Sequence, residues 1–321
     1  MKQDRKQNRF SPISLKGLRT YSIRQRHSKV SVKDFAHPWV KGAGLGKWLD
    51  SLPSILGARD FLEVVESIVV AAKRGKNVVL AMGAHPIKVG LSHIIIDLIE
   101  RDILTAIAMN GACIIHDCEI ARVGHTSEDV GAALGEGKFG MAEETAITLN
   151  RAIKMAADEH TGLGKAVGRV LSEENLPYTN ASILAMAYRL GVPVTVHIAV
   201  GTDVIHCHPS FDGAAAGKAS HHDFRLFTGI VAELEGGVFI NLGSAVIMPE
   251  VFLKALTVAR NLGYHVKKFT TVDMDFIRNY RPMTNVVQRP TQEGGRGYSL
   301  VGYHEIMFPL LAAAVIERMD Q

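Results

Sequence analysis

Cysteine is scarce in this 321-residue chain. Cys113, Cys118 and Cys207 are an odd number, too few for a disulfide framework and suited to a reducing compartment. No apolar run is long enough to span a bilayer, and the start lacks the basic, apolar, small-residue succession of a secretory signal. The expectation is a cytoplasmic protein with no membrane partner. Linkers, low-complexity segments and internal repeats are also missing, so we expect one α/β domain over residues 35–321 behind an extension over residues 1–34. The dinucleotide fingerprint G-x-G-x-x-G is absent as well. The run Gly42-Ala43-Gly44-Leu45-Gly46 precedes the first predicted strand instead of following it, and so fails the context that gives the motif its meaning.

What is present is an ordinary globular composition, 47% hydrophobic and 21% charged, which excludes wholesale disorder. Charge is unevenly spread. Residues 1–30 hold nine basic residues against Asp4 alone, so the extension carries +8 of a net +4 and the remainder carries −4. A basic arm can meet nucleic acid or an acidic partner. No aromatic or helical reading pattern accompanies this one, which favours a solvated or subunit-clasping arm over nucleic acid.

From residue 58 the chain alternates helical and strand patterns. Helical periodicity over 58–74 stops at Gly75, and Asn77–Met82 is a short apolar strand. A helix over 91–101, a strand over 104–109 and a helix through Arg122 follow, then a glycine-rich connection over 123–140. Further helices are expected over 141–159, over 181–190 with Asn180 as N-cap, over 221–234, over 249–262 and over 304–319. Further strands are expected over 193–200, 238–242 and 265–270. The strands lack polar alternation, as strands buried on both faces do, and helices serve as crossovers. The fold class is therefore α/β, a doubly wound and mainly parallel sheet.

Four predicted strands end in similar turns: Met82-Gly83, Asn110-Gly111, Gly201-Thr202 and Gly243-Ser244. Ligands of such folds bind outside the carboxyl ends of the strands, where helix N-termini offer free N–H groups and a positive dipole. His116-Asp117 opens a helix beside one of these turns, and Asp203 and His208 follow another with Asp212 close behind. These are candidates for proton handling and substrate contact, with N-capping and solvent-facing roles as the alternative. His206, His208, Asp212, His221, His222 and Asp223 also suggest a metal-assisted hydrolase or lyase, since two imidazoles on one side of an extended segment suit zinc. Hydrogen bonding within loops is the competing reading.

Several runs together resemble the deoxyhypusine synthase family over roughly residues 35–315. They are Asn110-Gly111-Ala112 with His116-Asp117, Thr126-Ser127-Glu128-Asp129, Asp203-Val204-Ile205, Gly243-Ser244, Thr270-Thr271-Val272-Asp273, and Phe308-Pro309-Leu310-Leu311. The resemblance implies a Rossmann-like fold, NAD as cofactor, and homotetramers with sites between paired subunits. It implies transfer of the aminobutyl group of spermidine, through an imine on an enzyme lysine, to the precursor of translation factor 5A; relatives use small diamines. By the same resemblance Ala84, His85, Lys88, Asn110, Gly111, Ala112, Gly243, Ser244, Thr271 and Val272 would face NAD, and Asp203 would hold a substrate amine. The family's imine-forming lysine has no counterpart, because the matching stretch reads Asn285-Val286-Val287-Gln288-Arg289-Pro290 and no lysine follows Lys268. Arginine stays protonated and cannot replace an amine nucleophile. The substrate or acceptor is therefore expected to differ, with Arg281 and Arg289 facing it, and a non-catalytic NAD-binding homo-oligomer is the remaining alternative.

Overall fold

Strand β1 (Val78–Met82) is buried at all five positions and lies inside a sheet of six parallel strands. The computed structural model describes residues 10–319, so Lys2, Arg5, Lys6 and Arg9 of the basic extension lie outside the described residues. The other strands are β2 (Ala106–Asn110), β3 (Val194–His197), β4 (Val238–Leu242), β5 (Thr270–Asp275) and β6 (Arg296–Val301). Their order is β3-β2-β1-β4-β5-β6, every neighbouring pair is parallel, and helices supply the crossovers. The chain moves outward from β1 to β3, then returns to lay β4 on the other side of β1. The β1/β4 boundary is thus the topological switch point, the place where sheets of this kind form a ligand-binding crevice outside their strand ends.

The helices are α1 (Leu45–Asp50), α2 (Leu56–Lys73), α3 (His85–Lys88), α4 (Ser92–Glu100), α5 (Gly111–Val123), α6 (Val130–Leu134) and α7 (Glu143–Asp158). They continue with α8 (Leu163–Glu173), α9 (Ile183–Leu190), α10 (Gly213–Ala232), α11 (Ile247–Asn261), α12 (Tyr280–Pro282) and α13 (His304–Met319). One apolar cluster packs α2, α4, α5, α7, α8, α9 and α13 against the sheet, and a second gathers Phe227, Phe239, Phe252 and Phe269 under α10 and α11. Among the described residues no helix is long and apolar enough to cross a membrane.

Several elements depart from the sequence expectation. Helix α9 is capped by Ser182, whose hydroxyl accepts from Ala185 N at 3.0 Å, and not by Asn180, which sits in a preceding 3-10 turn. Helix α10 starts eight residues early because Asp212 caps it, accepting from Ala214 N and Ala215 N. The expected strand over 265–270 lies five residues further on, over Thr270–Asp275, and β6 and α8 were not anticipated. Helix α8 contains Gly164 and Gly168, which suggest a loop. A Cβ there would lie 2.0 Å from the Val194 carbonyl oxygen and 2.5 Å from that of Leu184, so both glycines let α8 press its backbone onto β3 and α9.

Candidate functional site

At the carboxyl edge of β2 and β3, a cavity of about 210 Å³ opens between α5, the 127–145 segment and the loop after β3. Asn110 caps α5 by accepting from Cys113 N at 3.3 Å, which orients the helix N-terminus toward this edge. His116, one turn into α5, reaches the cavity wall together with Lys88 from α3 and Asp203 from the β3 loop. Glu119 and Glu128 add two more carboxylates, so acids outnumber the single lysine.

The hydrogen bonds fix the state of His116. Thr126 donates its hydroxyl proton to Glu119 Oε2, and Thr145 donates to Glu119 Oε1 at 3.4 Å. With that proton committed, the Thr126 oxygen accepts from His116 Nδ1 at 2.7 Å. Nε2 is therefore the unprotonated nitrogen, available as a base. Burial, helped by Lys88, pushes the His116 pKa down to about 4, so the ring is neutral at physiological pH.

Asp203 is the opposite case. Its residue is 7% exposed, and burial raises its pKa to about 6. Its Oδ2 has no hydrogen-bond partner; His206 Nε2, also without one, is 3.7 Å away. The carboxylate lies against Gly111, where a Cβ would come within 2.1 Å of Oδ2. Glycine at the first position of α5 thus makes room for an acid at the helix N-terminus.

A second group of side chains surrounds the switch point. Gly83 N donates to Leu242 O at 3.1 Å, and a Cβ at Gly83 would sit 2.4 Å from Gly243 O, so this glycine is required by the opposing turn itself. Gly243 has φ +63° and clears room for His304, whose Cε1 would be 2.6 Å from a Cβ there. His304 opens α13, is 1% exposed, and has no hydrogen-bond partner on either ring nitrogen; its Nε2 is 3.5 Å from Asp275 Oδ1. His85 meets it edge-on with ring centroids 5.1 Å apart, and partial desolvation of the ring, together with the nearby His304, lowers the His85 pKa. Asp273, bonded to Asn241 at 2.7 Å, has its pKa raised by burial to about 6. Helix α3 carries both His85 and Lys88, and so joins this crevice to the cavity.

Solved structures with the same layout are similar to this chain at low identity. AgrE in its ternary complex with ornithine and NAD+ matches 84% of this chain at 15% identity and TM-score 0.52, and a conserved LOR/SDH-type protein of Methanococcus maripaludis matches 83% at 14% and 0.51. The fold is Rossmann-like. The chain spans 35% of the length of AgrE and 71% of the archaeal protein. A protein of Entamoeba histolytica assigned to the deoxyhypusine synthases matches 88% of this chain and 96% of its own length, at 13% identity and TM-score 0.48, too low to carry weight. No family model matches the chain, and no curated protein matches it in sequence.

Within this Rossmann-like frame the expected site residues are not all brought together. Lys88, Ala112, His116 and Asp203 line the cavity; Ala84, His85, Gly243 and Ser244 follow β1 and β4 at the crevice; Asn110 and Gly111 build the start of α5. Others are placed elsewhere. Asp117 is fully buried, accepting from Ser182 Oγ, from Ile183 N at 2.8 Å and from Leu184 N at 3.2 Å; it anchors α9 and faces no cavity. Thr271 and Val272 sit inside β5, fully buried, with the Thr271 hydroxyl donated to Val286 O, so Asp273 and Asp275 stand nearer the working edge.

Asp212 is a helix cap, and His208 lies outside the cavity wall with Nδ1 3.3 Å from Ser210 Oγ. Arg281 pairs with Glu250 at 3.4 Å and Arg289 donates to Asn285 at 2.9 Å. Both arginines ride on the β5–β6 crossover, across the sheet from β3, and neither lines the cavity. The metal reading is corrected too. Val204–Cys207 is a 3-10 turn, not an extended segment, and Asp223 is buried, accepting from Gly164 N and Val196 N. No group of three His, Cys, Asp or Glu among the described residues is placed to hold a metal ion. Glu119, Asp275 and His304 were missed. The i,i+3 spacing of His116 and Glu119 on α5 was the available signal for the first.

Proposed function

We propose that the chain is an NAD-dependent enzyme acting on a small cationic amine, of the deoxyhypusine synthase-like type but with an altered acceptor. The observation that carries this reading is the acidic cavity beside the switch point, in which the buried Asp203 has an oxygen with no partner. An ammonium group supplies the missing hydrogen bond, and Glu119 and Glu128 add favourable charge.

The residues at the crevice fit NAD. The N-termini of α5 and α11 flank it on either side of β1, and His304 offers two ring nitrogens without partners. NAD, when bound, supplies the hydride acceptor. His116 Nε2 takes the proton that the amine nitrogen loses as the neighbouring carbon is oxidised, and Thr126 and Glu119 hold the ring in that tautomer. Asp203 keeps the amine oriented. With no lysine in the stretch where the resembled family forms its imine, the acceptor amine would add directly to the oxidised carbon, the substrate's original amine would leave with the proton that His116 holds, and the hydride removed in the first step would return to the new imine. A cavity of about 210 Å³ suits a small amine as that acceptor.

The test is calorimetric titration with NAD+, followed by NADH fluorescence on adding spermidine or a shorter diamine. Binding of NAD+ with amine-dependent NADH formation is expected. A folded protein that binds no NAD+ at millimolar concentration would overturn the reading.

A further inference from the structure

Along α10, Lys218, His221, His222 and Arg225 recur at the i, i+3, i+4, i+7 spacing that puts side chains on one face of a helix. That face meets the end of α7 and the turn into α8. With Ala156, His160 and Thr161 it walls a cavity of about 290 Å³. Five of the seven lining residues are basic, and no acid among the described residues lines it. This cavity is separate from the one holding His116 and Asp203. Helix α7 joins the two, with Thr145 at one and Ala156 at the other, about 16 Å apart along its axis.

The positive charge here is uncompensated. The side chains of His160, His221, His222 and Arg225 make no hydrogen bond or ion pair among the described residues. Glu159, the acid adjoining His160, is turned to Arg169 at 2.6 Å. Asp223, the one acid on α10, is buried and committed inward, to Gly164 N and Val196 N at 2.9 Å each. The carbonyls at the end of α7 are occupied as well: Ala156 O accepts from Thr161 N at 3.0 Å, and Ala157 O from Lys218 Nζ at 2.6 Å. Lys218 keeps two further N–H donors. A solvated helix face intersperses acids with its bases at i,i+4 spacing; this one carries bases alone and turns them into a concavity. Asp223 ties α10 to α8 and β3, and Lys218 ties it to α7, so the donors are held in place before any ligand arrives.

We propose that this cavity binds a small ligand through a phosphoryl group. Lys218 and Arg225 supply two permanent charges, which the charge of about −1.5 to −2 on a phosphate monoester balances and a single carboxylate does not. The terminal oxygens accept together from the arginine fork, the ammonium and the imidazole N–H groups. The proposal stands apart from the amine chemistry, whose residues line the other cavity.

The test is calorimetry on the full chain at low salt, with inorganic phosphate and glycerol 3-phosphate as probes. Saturable binding is expected. Tighter binding of glycerol 3-phosphate identifies an organic monoester as the ligand, and equal binding identifies free phosphate; either result supports the site. Arg225→Gln and His222→Gln remove side chains that bond to nothing else in the chain. Each should weaken binding by about tenfold or more and leave the thermal midpoint unchanged. Lys47→Gln combined with Lys254→Gln removes charge from α1 and α11, and should leave affinity within about twofold. A chain that takes up neither probe at about 10 mM overturns the proposal, as does affinity untouched by Arg225→Gln. Equal weakening by the Lys47 and Lys254 changes also overturns it, since the effect is then one of general charge. A single-stranded RNA oligonucleotide that binds through Arg225, with neither phosphate probe competing, overturns it in favour of nucleic acid.

Discussion

Replacing Asp203 by Asn should stabilise the free protein and destroy its grip on an amine. The carboxyl pKa is about 6 in the fold against 3.8 in its absence. Between those values the folded state binds more protons than the unfolded chain, so stability falls as pH rises through about 4 to 6. A shift of about two units corresponds to about 3 kcal/mol once the group is fully ionised. Asn keeps the shape against Gly111 and removes the charge; allowing for imperfect amide bonding, it should recover about 1–3 kcal/mol at neutral pH. For a chain of this length the unfolding entropy is about 0.7 kcal/mol per degree, so the midpoint should rise by about 1–4 °C. Thermal unfolding at pH 4 and pH 8 checks the sign: variant and wild type should converge at the acid end and separate at the alkaline end. Amine affinity, read by calorimetry with spermidine at pH 8, should fall by about tenfold or more. A variant destabilised equally at both pH values would refute the claim that Asp203 is a strained, ligand-directed carboxylate.

Four further substitutions probe the rest of the site. Asp117→Ala strips two backbone N–H groups and the Ser182 hydroxyl of their acceptor, and should cost about 3 kcal/mol or more in a denaturant titration, since this residue holds α9 rather than substrate. Gly243→Ala forces a side chain onto φ +63° and into the His304 ring; a loss of about 1–3 kcal/mol in stability should come with NAD+ affinity lowered about tenfold by calorimetry. Arg281→Ala and Arg289→Ala should leave spermidine affinity within about twofold, because an exposed ion pair with Glu250 and a bond to Asn285 lie across the sheet from Asp203.

Strand β1, an unbroken apolar run, and strand β4, apolar but for Asn241, were legible in the sequence because burial on both faces favours apolar residues, and helix α13 because of its long apolar stretch. Strand β5 was displaced because it lacks such a run. Its inner residues Thr271, Asp273 and Asp275 are polar yet buried, satisfied by Val286 O, Asn241 and the loop that follows. The apolar Val266 and Phe269 before it drive a loop, not a strand, into the core. The cofactor contacts that the resemblance implied at Thr271 and Val272 fall inside the sheet, with Asp273 and Asp275 nearer its carboxyl edge. His304 escaped notice for a different reason: its meaning depends on Gly243 and Asp275, 61 and 29 residues away in sequence, and no local pattern joins them. Asp203 and His116 stood out in the sequence because each lies six residues past the carboxyl end of a strand.

The strand order also imposes a timetable. Val78 of β1 pairs with Val238 of β4, and nothing earlier in the chain takes that side of β1. At 5–20 residues added per second, β4 leaves the ribosome roughly ten to thirty seconds after β1. Through that interval the first half can complete β1, β2 and β3, yet one edge of β1, five apolar residues long, has no mate. Slow, long-range parallel pairing of this kind invites intermolecular capture of the open edge. Yield during overproduction should therefore respond to synthesis rate and to chaperones that shield a nascent strand more than to the final stability of the protein.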